Sequence, residues 1–437
     1  MKFSKYNYFV KHKDKVICLN GYSNKMMVLK ENEFVFIFEG DLRQLNKKFK
    51  TLIEKLQNWN FVIPDDIDEI DRIRYNNKKK IFSERKLWLT INPTLECNFK
   101  CWYCSTEYTN TKYERKSMTT ELRNSLIKYI SNRIKNRTAN SIHLDWFGGE
   151  PLLYFKEIIY SISKETLSIT KKNNIKFSNH ITTNAFLINR EMVNYFNEIE
   201  LNSFQITLDG YREKHNSVRN ENGKPSYDTI IHNIKLLVNN IKNVKIVLRI
   251  NYDKQTLKLT KNIVDEFTHK EAKKIRIDFQ KVWQIEKAKG DENTLLKRSI
   301  EIVKDKGFIV SYFAYSQKDS ISCYADSNDY LAVNYDGGIF KCTARGYKDE
   351  QKIGHLNKYG EIVFNESKIY EYYSKATFEN ENCLECNLLP LCFGPCIQKT
   401  IELKNNEINF ASACTLSNAE INLDTHLITE AKNRNLL

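Results

Sequence analysis

The chain has 437 residues, 41% of them hydrophobic, with 24 Phe, 24 Tyr and 5 Trp, which is enough for two or three packed cores and excludes a disordered protein. The formal charge of +14 fits a solvated lysine-rich surface or an acidic partner; no RNP or GXXG signature accompanies it, so nucleic acid is not expected. No run approaches the roughly 18 apolar residues of a membrane span, and "MKFSKYNYFVKHKDK" at the start holds no signal-like stretch, so a soluble cytoplasmic protein is expected.

Residues 1–75 predict a first unit. "YNYFVKHKDKVICLN" and "NKMMVLK" read as short strands around a turn at Gly21, with Cys18 as a buried small hydrophobe. "DLRQLNKKFKTLIEKLQNW" places Leu45, Phe49, Leu52, Ile53 and Leu56 on one helical face, with Asp41 as N-cap. "DDIDEIDRIRY" predicts a further helix, and "NNKKKIFSERK" a charged linker over 76–86.

From 87 to 309 strand and helix alternate. "LWLTINPT" is strand-like and runs into "CNFKCWYC"; "MTTELRNSLIKYISNRI" follows as a helix starting near Thr119 or Thr120. "SIHLDWFGG", "IKFSNHITTN", "SFQITLDG", "VKIVLRINY" and "KIRIDFQKVW" read as strands, with helical stretches such as "SYDTIIHNIKLLVNNI" separating most of them. Strands with crossovers predict a parallel α/β sheet, open or curled into a barrel, whose chemistry sits at the carboxyl ends of the strands. Residues 310–437 predict a third unit. "YLAVNYDGGIFKC" is a hairpin turning at Asp336–Gly337; a loop-rich, cysteine-dense region relying on metal follows, and "SNAEINLDTHLITEAK" closes the chain as a helix.

In a reducing cytoplasm the clustered cysteines, all of the eleven but Cys18, read as metal ligands or catalytic groups rather than disulfides. Cys97, Cys101 and Cys104 form C-x3-C-x2-C, and the next cysteine is Cys323. Structural zinc wants four closed ligands, and ferredoxins close every corner of a 4Fe–4S cluster with cysteine. Three thiolates leave one iron open.

"CNFKCWYC" directly after a first strand resembles the signature of the radical SAM superfamily. The resemblance implies a partial (β/α)6 TIM-type barrel and S-adenosylmethionine (SAM) bound to the open iron of a 4Fe–4S cluster. It implies reductive cleavage to a 5′-deoxyadenosyl radical that takes hydrogen from a substrate. By the same resemblance Tyr103 packs near the adenine, and Thr106 contacts the cofactor. "WFGGEPLL" is similar to the family's glycine-rich motif: Gly148 and Gly149 allow close backbone approach, and Glu150 meets the methionine ammonium. "TTNA" places Thr182 and Asn184 near the ribose. "QITLDGYREKHNSVR" resembles the fourth-strand motif of the peptide- and protein-modifying branch, with Thr207 at a small-hydroxyl position and Arg219 as a fork for the SAM carboxylate. Asp209 and Asp278 lie on or beside predicted strands and read equally as structural groups or as a base.

The seven later cysteines run Cys323, Cys342, Cys383-x2-Cys386-x5-Cys392-x3-Cys396 and Cys414. This pattern resembles the SPASM domain, which implies two auxiliary 4Fe–4S clusters, three in all. Cys383, Cys386, Cys392 and Cys414 would hold one, and Cys323, Cys342 and Cys396 the other. No extra cysteine precedes Cys323, and Asp319 is the nearest upstream carboxylate, which leaves a fourth corner for a substrate thiolate, water or a carboxylate. Thr343 stands where sulfatase maturases of the same domain plan carry a basic Asp. The first unit resembles the winged-helix-like peptide-recognition element of ribosomal-peptide maturases, which bind a leader as an added strand. The whole therefore resembles a radical SAM/SPASM maturase that closes a thioether or carbon–carbon crosslink in a ribosomally made precursor peptide, with flavodoxin or ferredoxin as reductant. Its alternatives are oxidation of a Cys or Ser side chain, as in sulfatase maturation, and an iron–sulfur peptide-binding or electron-transfer protein without radical chemistry.

Overall fold

A computed structural model describes residues 1–83, 85–104, 116–282, 292–311, 320–419 and 422–437. The chain forms two compact units. The first comprises Met1–Glu84, Phe313–Asn328 and Tyr370–Leu437, the second Arg85–Tyr312 and Asp329–Ile369. Among the described residues no helix is long and apolar enough to cross a membrane.

In the first unit β1 (Asn7–His12), β2 (Lys15–Asn20) and β3 (Lys25–Lys30) form an antiparallel meander with β2 in the centre. Side chains alternate between its faces. Val10, Ile17, Leu19 and Met26 pack with Leu391 and with Leu423 and Leu427 of the terminal helix. Val16 and Cys18 pack on the opposite side with Leu45, Ile53, Leu56 and Phe61. Two covered faces explain why "VICL" is apolar without interruption. Cys18 is fully buried, as expected, and burial pushes its thiol up to about 12.

Two expectations for this unit change. The single helix read across Asp41–Trp59 is two helices, Leu42–Lys48 and Lys50–Asn58. Asp41 does cap the first, accepting from the Arg43 amide. Phe49 breaks the run at φ −132°, ψ 56° and turns its ring outward against Phe36. The linker expected over 76–86 is instead helical through Ser83, as part of Glu69–Ser83. Lysine is a good helix former, and tertiary contacts hold the helix: Arg74 forks onto Glu379 at 2.8 and 2.9 Å, and Asn77 Nδ2 donates to the Ser320 carbonyl at 2.7 Å.

The second unit is built on one sheet. Its strands are β4 (Lys86–Ile91), β5 (Ser141–Trp146), β6 (Lys176–Thr183), β7 (Leu201–Leu208), β8 (Lys245–Tyr252), β9 (Ile275–Lys281) and β10 (Ile309–Ser311), then β11 (Tyr330–Val333), β12 (Gly338–Phe340), β13 (Gly354–Leu356) and β14 (Ile362–Phe364). The spatial order is β10-β9-β8-β7-β6-β5-β4-β11-β12-β13-β14. Strands β4 to β10 pair in parallel in chain order. The strands read from the sequence are β4 to β9; β10 adds one. Thr119 caps the helix Thr120–Lys135 by accepting from Leu122 N.

The β11–β12 hairpin turns at Asp336–Gly337, with Gly337 at φ +84° and Asp336 Oδ1 accepting from Gly338 N. The compact units divide the chain differently from a boundary at 310, with this hairpin in the second and Cys383 to Cys414 in the first. The fully buried run Tyr330–Val333 pairs in parallel along β4, from Trp88 to Ile91, and extends the sheet.

One face of the sheet is the core: Leu89, Leu144, Trp146, Ile181, Phe204, Ile206, Leu248 and Ile277 are fully buried. The other face is polar, carrying Thr90, His143, Asp145, His180, Gln205, Thr207, Arg249 and Asp278 at alternate positions. Phe204 packs against Phe196 at 5.5 Å. Phe204→Ala is expected to cost about 3–5 kcal/mol, read as a lower urea midpoint by circular dichroism.

Candidate cofactor site at the carboxyl ends of the strands

The cysteine loop leaves the carboxyl end of β4 and is bound to the glycine-rich loop after β5. Gly149 N donates to the Thr94 carbonyl at 3.2 Å and Glu150 N to the Glu96 carbonyl at 2.7 Å. A Cβ on Gly148, which sits at φ +116°, would lie 2.4 Å from Thr94 O, and one on Gly149 would lie 2.0 Å from Glu96 O. The close approach these glycines permit is therefore to the backbone of the cysteine loop itself.

Cys97 and Cys101 are partly buried, and no disulfide joins any of the eleven cysteines. Burial, with Glu150 nearby, pushes the Cys97 thiol up to about 12; burial also raises Cys101, against the pull of the Arg219 guanidinium. Among the described residues no three Cys, His, Asp or Glu side chains are grouped to share one metal ion. A 4Fe–4S cluster asks for something else, because each thiolate meets its own iron at a separate corner. The backbone suits such sulfurs. The amide two residues on donates to Sγ at 3.4 Å in Cys97, Cys342, Cys386 and Cys392. A thiol is a weak acceptor, and amide donors of this kind stabilise cluster thiolates. The donor set fits iron–sulfur ligation.

Glu150 is fully buried. Its Oε1 accepts from Leu152 N at 3.0 Å and from Thr183 Oγ1 at 2.7 Å, and its Oε2 accepts from Asn184 N at 2.8 Å. Burial raises its carboxyl and these donors oppose the rise. Glu150 thus locks the glycine loop to the segment after β6. The hydroxyl it holds belongs to Thr183, whereas Thr182 lies on the polar face beside Gln205. Asn184 Nδ2 reaches Asn98 Oδ1 at 2.8 Å and Cys97 Sγ at 4.0 Å, so this residue touches the cysteine loop.

Four side chains converge beside the thiols. Arg219 Nε donates to Asp209 Oδ2 at 2.7 Å, and its Nε and Nη2 donate to Tyr103 Oη at 3.0 and 2.7 Å. Tyr103 Oη donates to Asp209 at 2.6 Å. Asn251 Nδ2, at the end of β8, donates to Tyr103 Oη at 3.0 Å and to Asp209 Oδ1 at 2.7 Å. Burial, the largest single influence, would raise the Asp209 carboxyl, but the Arg219 charge and the hydrogen bonds from Tyr103 and Asn251 together hold it below the usual range. Asp209 is therefore committed as the counter-ion of Arg219. Thr207 pairs in register with Arg249 on the polar face. Asn251 and His215 belong to this site and were not singled out from the sequence. The quoted motif contains His215 but nothing marks its partners, and Asn251 is visible only as a polar residue ending an apolar strand.

On the polar face Asp145 Oδ2 accepts from Thr90 at 2.9 Å, and Oδ1 lies 3.8 Å from His180 Nε2. Burial pushes Asp145 up to about 7, and it pushes His143 and His180 down to about 3 and about 4.

In the first unit Cys383 and Cys392 are buried, and Cys386 and Cys414 stand near enough to Cys383 to add to the rise that burial imposes on its thiol. Cys323 and Cys396 belong to the first unit and Cys342 to the second. Thr106 and Asp319 lie outside the described residues.

Two outcomes follow from this geometry. Gly149→Ala forces the two loops apart at an expected cost of about 1–3 kcal/mol and lowers the iron content reached on reconstitution. Asp145 binds its proton more tightly folded than unfolded, so its favourable contribution is lost as pH rises from the ordinary carboxylate range through about 7. Asp145→Asn should flatten that loss in a thermal-unfolding series between about pH 5 and about pH 8, leaving the opposite-signed histidine contributions in place.

Comparison with known proteins agrees with this geometry. Residues 91–262 match the radical SAM superfamily. Over 424 residues the chain is 23% identical to radical SAM cyclopropyl synthase TigE of Paramaledivibacter caminithermalis, across 88% of this chain and 83% of TigE. Its fold is similar to that of Streptococcus suis SuiB bound to precursor peptide SuiA, with TM-score 0.54 and 20% identity over 95% of this chain and 100% of that one. It is also similar to anSMEcpe with bound AdoMet, with TM-score 0.55 and 19% identity over 80% of this chain and 94% of that one. The three clustered cysteines, the glycine loop and the buried Arg219 all lie within the stretch that matches the radical SAM superfamily.

Proposed function

We propose that this protein is a SAM-dependent enzyme that modifies a ribosomally made precursor peptide, closing a thioether or carbon–carbon crosslink. The observation that carries the reading is the loop of Cys97, Cys101 and Cys104, free of disulfides and tied beside a buried arginine. These cysteines would hold a 4Fe–4S cluster with one iron left for SAM. When bound, cluster and SAM supply a 5′-deoxyadenosyl radical that takes a hydrogen atom from a peptide carbon.

The chain's own residues bind and orient. Arg219 presents a fixed guanidinium suited to the carboxylate of SAM. Tyr103 offers its ring to the adenine while its hydroxyl anchors the loop. Thr182, Thr207 and Arg249 would line the polar wall of a partial (β/α)6 barrel facing the substrate. The similarity to TigE and to SuiB with its precursor peptide supports a peptide substrate.

The first unit would take the leader. Strand β3 is an edge of the meander, with one side of its backbone open to an added strand. Cys383, Cys386, Cys392 and Cys414 would hold an auxiliary cluster of SPASM type; Cys323, Cys342 and Cys396 are further cluster ligands on the same reading. Flavodoxin or ferredoxin would supply electrons.

The test is direct. Reconstituted, reduced protein with SAM should release 5′-deoxyadenosine, and Cys101→Ala should abolish it. Co-expression with a short peptide encoded beside this gene should lower the peptide's mass by two hydrogens. Fully iron-loaded protein that forms no 5′-deoxyadenosine above background would end this reading.

A further inference from the structure

We propose that His215 is a positioning residue for Arg219, fixing where the guanidinium stands by holding the backbone of both members of the Arg219–Asp209 pair. The proposal rests on the SAM-site reading given above.

His215 is fully buried within the helix Arg212–Val218, between Asp209 and Arg219. Its Nδ1 lies 3.1 Å from Asp209 N. A backbone N–H can only donate, so Nδ1 must be the unprotonated acceptor, and the ring proton sits on Nε2. Nε2–H then donates to Ser226 Oγ at 3.0 Å, and the Ser226 hydroxyl donates to the Arg219 carbonyl at 2.7 Å. Each proton in this chain has one place to go. One end of the relay is the residue whose carboxylate holds Arg219 Nε; the other end is the main chain of Arg219 itself.

The surroundings keep the relay rigid and the ring neutral. Asn216 Oδ1 accepts from Ser226 N and Tyr227 N at 3.0 Å each, which pins the serine end. The Tyr227 ring stands edge-on to the imidazole at 5.6 Å. A second ring proton would face the Asp209 N–H, donor against donor. Burial, with the Arg219 charge beside it, pushes the imidazole down to about 3, against the smaller pull of Asp209.

A histidine that merely filled the core would also satisfy its nitrogens. The two roles separate in SAM affinity. Iron-loaded protein is titrated with SAM, and iron content and melting temperature are recorded for each variant. Ser226→Ala should weaken SAM binding about 5-fold, the scale of one net hydrogen bond, with iron content held; Ser226→Thr should restore it. His215→Asn, which retains an acceptor for Asp209 N–H, should bind SAM more tightly than His215→Phe. In an Arg219→Ala background Ser226→Ala should cause no further loss, because both changes act through one group. Wild-type affinity in Ser226→Ala, or a loss that persists undiminished without Arg219, overturns the positioning role alone. Iron-loaded wild-type protein that fails to bind SAM overturns the site reading and this proposal with it.

Discussion

A guanidinium cannot be taken out of water alone, and the arrangement of the strand ends follows from how Arg219 is satisfied. Its charge is matched by Asp209 at the end of β7, and both groups close on the hydroxyl of Tyr103, which belongs to the cysteine loop. Asn251 at the end of β8 donates to the same two oxygen-bearing groups. One buried ion pair thus gathers the ends of two neighbouring strands and the loop from β4. The tyrosine ring is placed as a by-product of hydrogen bonding at its tip.

A second node does the same work on the other side of the loop. Glu150 is buried with its oxygens on Leu152 N, Thr183 and Asn184 N, which joins the loop after β5 to the segment after β6. The glycines before it let that loop lie directly on the backbone of Thr94 and Glu96. Between these two nodes the cysteine loop is held by its flanks.

Much of the fold could be read from local pattern. Period-two alternation found β4 to β9, and the caps at Asp41 and Thr119 fell where their side chains predict. Where the reading departed from the structure, distant partners decided. Helix Glu69–Ser83 runs through a lysine cluster that looks like a linker, because Arg74 and Asn77 find Glu379 and Ser320, residues hundreds of positions away. Tyr330–Val333 looked like part of a separate region, but an unpaired edge of β4 was available to it. Phe49 fits the apolar face of a helix by spacing, yet its backbone leaves the helical region and its ring finds Phe36.

The chemistry at the site divides in the same way. Short-range spacing was enough to pick out the three thiols, whereas the paired glycines, Glu150, Tyr103 and Arg219 were picked out through the resemblance of contiguous motifs to the radical SAM family. Which atoms meet was a matter for the tertiary structure. It gave Glu150 the hydroxyl of Thr183 rather than Thr182, turned Asp209 from a candidate base into the counter-ion of Arg219, and brought in Asn251 and His215. Hydrogen-bond partners across strands are set by register and loop path. Neither leaves a periodic trace along the chain, so the sequence alone determined the donors and acceptors present, and only the folded sheet decided how they were paired.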